Sequence, residues 1–75
     1  MNQKTTRTEL FSALESLSST VPDMRAGQLI AALGELCADT YGRGLWDVTD
    51  EELHGAVAQF RRGCEMALVL TSREA

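Results

Sequence analysis

Two interruptions divide this sequence, Ser18-Ser19-Thr20-Val21-Pro22 and Tyr41-Gly42-Arg43-Gly44, and the apolar residues on either side recur at helical spacing. Three helices follow, and within 75 residues they must share one core. The expected fold is an all-α, compact three-helix domain, with helices over about 7–19, 24–39 and 50–69. A compact chain of this length has a radius of gyration of about 11 Å.

Each helix has its own signals. Thr6 and Glu9 stand three apart and predict a capping box, followed by the stripe Leu10, Phe11, Leu14 and Leu17. This helix should fray at Ser18–Thr20, and Pro22 sets the stop by disfavouring helical geometry at Val21. Asp23 is the expected cap of the second helix, whose stripe runs through Met24, Ala26, Leu29, Ile30, Leu33, Leu36 and Cys37. Gly27 and Gly34 interrupt it, each costing about 1 kcal/mol against alanine. They imply close approach of another helix, where a missing Cβ helps, or else a helix weakened near Gly34; close packing is the preferred reading.

The third helix is the best specified. Thr49 and Glu52 form a capping box, and Val48 and Leu53 occupy the positions of a hydrophobic staple. Asp50, Glu51 and Glu52 suit the positive end of the helix dipole, and Arg61 and Arg62 lie in the later half. Leu53, Ala56, Val57, Phe60, Cys64, Ala67 and Leu68 carry the stripe. From Met66 to Leu70 every residue is apolar, which two short helices cannot cover. Either this end docks on another copy of the chain, or Ala67–Thr71 turns extended and pairs with Leu45–Val48. The homodimer is preferred, because two exposed strands are hard to stabilise. A domain this small also gains most from oligomerisation or idealised packing. Its two cysteines are expected to stay thiols in a reducing cytoplasm.

Composition removes several function classes. Seven Lys+Arg against eleven Asp+Glu leave a net charge of −4, which argues against a phosphate-binding surface. No apolar run reaches the roughly 18–20 residues of a membrane span, and no secretion signal opens the chain. Asp39 to Asp50 has the length of a calcium loop with Gly44 at its sixth position, but Tyr41 and Arg43 stand where oxygen ligands are needed. Cys37, His54 and Cys64 lack the paired spacing of a zinc site, and both cysteines lie on apolar stripes; as a nucleophile–base set they are outweighed by the plainer reading of His54 as a solvated helical histidine. No Asp-Ser-Leu motif marks an acyl carrier protein. The second connection is too long for a helix-turn-helix, and the helix after it opens with three acids.

The segments Pro22-Asp23-Met24-Arg25-Ala26-Gly27-Gln28-Leu29-Ile30 and Leu45-Trp46-Asp47-Val48-Thr49-Asp50-Glu51-Glu52-Leu53 resemble a group of small uncharacterised bacterial proteins. That group pairs Pro-x-x-Arg-x-Gly-Gln-Leu with Trp-Asp-x-x-Asp-Glu-x-Leu and has no established activity. Such proteins often carry an aromatic after the arginine, where this chain has Ala26. The resemblance implies a domain and no function.

Two roles suit the shared residues. In one, Arg25 pairs with Asp47 or Asp50 while Trp46 packs beside Gly27, locking the second loop. In the other, Arg25, Gln28 and Trp46 form a binding surface, since tryptophan and arginine are enriched at interaction hot spots. The expected function is a non-enzymatic interaction or regulatory module of a bacterial cytoplasm, with no catalytic residue, metal or cofactor. Its partner is a second copy or another protein, and neither membrane nor nucleic acid. The candidate interaction surface is Arg25, Gln28, Trp46, Met66, Val69 and Leu70. An antitoxin-like or transcription-associated module is the first alternative, a small enzyme or metal protein the second.

Overall fold

A computed structural model describes the backbone of residues 3–74 and the side chains of residues 6–66. It is an all-α, three-helix domain: α1 (Gln3–Thr20), α2 (Ala26–Tyr41) and α3 (Asp50–Glu74). Arg7 Nε lies 3.8 Å from Asp50 Oδ2, and further along both helices Arg61 Nη2 donates to Ser16 Oγ at 2.6 Å. Helices α1 and α3 therefore run in the same direction, and α2 is the return leg. Helix α3 packs against both neighbours, while α1 and α2 touch each other only sparsely.

Leu10 and Leu17 of α1, Leu29, Leu33 and Cys37 of α2, and Ala56 and Val57 of α3 are buried. Val21, Met24, Leu53 and Phe60 close around this core. Two large members of the expected stripes are instead exposed: Phe11 at 62% and Ile30 at 46%. Each sits one residue, and so about 100° of helix rotation, beyond a buried leucine. With so little contact between α1 and α2, each helix covers only a narrow arc of its neighbour.

Three expected boundaries are corrected. Helix α1 begins at Gln3, so Thr6 is within it and buried at 9% exposure rather than capping it. Thr6 shares the inward face with Leu10 and Leu17, one and three turns on. Ser18–Thr20 do not fray: the Ser19 and Thr20 hydroxyls donate to the carbonyls of Glu15 and Ser16, and the Val21 amide closes the end on Leu17. Asp23 is not the cap of α2. The Met24 amide bonds the Val21 carbonyl, a turn that takes up Pro22 and Asp23, so the cap falls at Arg25.

Helix α3 starts at Asp50 as expected and runs on to Glu74. Beyond the Ser16–Arg61 contact, α1 has four more residues and α3 thirteen, so α3 extends about 14 Å past α1. This explains a radius of gyration of 13.2 Å, and a long axis of 45 Å, in a chain expected near 11 Å. The backbone of Met66–Leu70 is helical, which overturns the extended alternative for Ala67–Thr71. Here the helix continues because neither Gly nor Pro interrupts it after Gly63.

Candidate interaction surface

The connection between α2 and α3 holds the most unusual side chain. Helix α2 ends at Gly42, whose φ of 71° is left-handed and whose N–H donates to the Ala38 carbonyl at 3.0 Å. The chain then turns on Gly44, whose carbonyl accepts the Asp47 and Val48 amides at 3.0 and 3.1 Å. Leu45 folds back on α2: a Cβ at Gly34 would lie 3.2 Å from Leu45 Cγ and Cδ1. The far end is held by the expected capping box, in which Thr49 N–H donates to Glu52 Oε1 at 2.9 Å and Glu52 N–H to Thr49 Oγ1 at 3.1 Å. Glu52 Oε1 also accepts from Arg43 Nη1 at 3.1 Å, an ion pair tying the start of the loop to the start of α3.

Between these attachments Trp46 is 96% exposed. A tryptophan normally buries 150–250 Å² of surface, so a fully solvated one on a braced loop calls for explanation. Beside it, Val48, Thr49, Asp50 and Glu51 line a recess of about 260 Å³ at the start of α3.

The other candidate residues fall elsewhere. Arg25 is exposed at the cap of α2, where its backbone N–H donates to Gln28 Oε1 at 2.8 Å. Gln28 thus serves its own helix end. The expected lock is not made. Asp50 pairs with Arg7, Trp46 is solvated, and nothing lies within 4 Å of a Cβ built on Gly27. The close approach read from the glycines occurs at Gly34, and a loop leucine makes it rather than a helix. Met66 is 61% exposed on α3; the side chains of Val69 and Leu70 lie outside the described residues.

Among the tertiary links that sequence reasoning missed are Arg43–Glu52 and Arg61–Ser16. Arg43 lies nine residues from its partner and Arg61 lies 45 from its own, so no local pattern marks either pair.

A second groove, of about 190 Å³, runs between α1 and α3 and is lined by Ala13, His54, Val57, Ala58 and Arg61. Cys37 is fully buried, and burial first, then the nearby Glu52 carboxylate, push its thiol up from the ordinary range. That is the opposite of the shift that activates a thiolate. Among the described residues no three His, Cys, Asp or Glu side chains converge as metal ligands would, and no helix is long and apolar enough to cross a membrane. Comparison with protein-family models, with curated proteins and with solved structures finds no match to this chain.

Proposed function

We propose that this chain is a small non-enzymatic protein–protein interaction or regulatory module, and that the loop carrying Trp46 is its recognition element. The supporting observation is the 96% exposure of that indole on a loop held by the Gly42 cap, the Leu45–Gly34 contact and the Thr49–Glu52 box. An aromatic anchor displayed on a braced loop loses little conformational entropy on binding, which makes it an efficient hot spot. A reducing compartment such as the bacterial cytoplasm suits the two free thiols, Cys37 and Cys64.

The test is a photo-crosslinking amino acid placed at position 46 in living cells, with the exposed position Glu35 on α2 as control. A discrete adduct at position 46 alone is the expected result. No adduct, or the same adducts from both positions, would refute the reading.

A second reading, self-association through the end of α3, draws on the 61% exposure of Met66 and on the length by which α3 outruns α1. Light scattering over a range of concentrations decides it. A monomer throughout would end it.

A further inference from the structure

The charges around Trp46 narrow the kind of partner it fits. Of the carboxylates at this end of the molecule, Asp50 is paired with Arg7 and Glu52 with Arg43. Asp47, next to Trp46, and Glu51, in the first turn of α3, are exposed, and among the described residues neither enters an ion pair. No Lys or Arg occurs between Arg43 and Arg61. Along the chain the indole is therefore flanked by unpaired negative charge, on a chain that is itself acidic at −4.

Such charge repels phosphate backbones and anionic lipid, and it equally repels a second copy of the same surface. A complementary surface carries the opposite sign. We infer that Trp46 inserts into an apolar pocket rimmed by Lys and Arg side chains on a different protein, with Asp47 and Glu51 meeting that rim. This rests on the reading of the loop as the recognition element. In this arrangement the indole supplies the contact area. The carboxylates select the partner and steer its approach, an effect that salt weakens.

The experiment uses three short amphipathic helical peptides with one leucine face in common and Lys, Gln or Glu on the other. None contains tryptophan, so the emission of Trp46, the sole tryptophan of the chain, reports alone. The Lys peptide is expected to shift that emission to shorter wavelength and to bind at least about tenfold tighter than the Glu peptide. Raised salt and the double change Asp47→Asn with Glu51→Gln should each narrow the gap. Trp46→Ala, followed by the anisotropy of a labelled Lys peptide, should weaken binding by about tenfold or more.

Equal binding of the Lys and Glu peptides would overturn the inference. So would an unmoved emission with all three, or Lys-peptide binding that survives Trp46→Ala, since that attraction is merely ionic. If position 46 crosslinks in cells while the three peptides behave alike, the loop stands as the recognition element and the charge assignment alone falls. Absence of any crosslink removes both.

Discussion

Replacing glycines by alanine one at a time tests the packing of the second loop directly. Gly63 lies inside α3, and a Cβ there meets nothing within 4 Å. Gly63→Ala should therefore return the full helix-propensity difference, about 1 kcal/mol. In a domain of this size that raises the melting temperature by about 4–8 °C. Gly34→Ala carries the same helical benefit, but its Cβ lies 3.2 Å from two carbons of Leu45, inside the usual contact distance of about 3.5–4.0 Å. Overpacking of this kind costs about 1–3 kcal/mol. The net expectation runs from no change to about 2 kcal/mol of destabilisation. Since Leu45 is 39% exposed and can partly give way, the smaller loss is favoured. The measurement is urea unfolding followed by far-UV circular dichroism at one fixed protein concentration, because self-association would make stability concentration-dependent. Trp46 fluorescence is unsuitable, as the indole is solvated in both states. If Gly34→Ala stabilises as much as Gly63→Ala, Leu45 does not pack on α2 and the loop is not braced there. If it does pack there, adding Leu45→Ala to Gly34→Ala should restore the propensity gain relative to Leu45→Ala alone.

Thr49→Ala removes one half of the capping box and should cost about 1 kcal/mol in thermal or urea unfolding. Arg43→Ala breaks only a partly exposed ion pair and should cost a few tenths of that. Leu17→Ala, at a fully buried position, should cost about 2–5 kcal/mol, a large share of the total stability of so small a domain. Trp46→Ala at 96% exposure should stay within about 0.5 kcal/mol. Because burial raises the Cys37 thiol, the folded state keeps its proton where the unfolded chain has lost it. Its contribution is whole below the unfolded value of about 9.0 and falls as pH climbs past it. A pH series of unfolding midpoints in wild type and Cys37→Ala checks this: the wild type should lose more stability above that value. At neutral pH a thiol reagent should modify half-buried Cys64 well before Cys37.

The legible parts of this fold were those governed by residues close in the chain. The capping box at Thr49 and Glu52, the break after Tyr41 and the helix stop before Pro22 all depend on contacts within four residues. Leu10, Leu17, Leu29, Leu33 and Val57 followed from helical periodicity. Thr6 shows where such reasoning misleads. A threonine three residues before a glutamate is a capping signal only if the helix starts there, and α1 had begun three residues earlier. Asp23 misled in the same way, because a turn closed by Met24 moved the cap to Arg25.

The candidate surface was partly legible. Trp46 was marked by its chemistry, but its solvation depended on Leu45, the neighbouring residue, turning inward to fill the space over Gly34. Which of two adjacent apolar side chains packs on α2 is settled by the loop's path across that helix. The pairing of Arg7 with Asp50, one of the two partners expected for Arg25, depends likewise on α1 running parallel to α3. The sequence alone determined three helices, their approximate ends and the residues able to form a core, because hydrogen bonding and periodicity act over a few residues. Only the tertiary structure decided which apolar side chains stay in water. Burial depends on what lies opposite: with α1 and α2 scarcely touching, Phe11 and Ile30 have too little opposite them, and Trp46 gives way to Leu45 over α2.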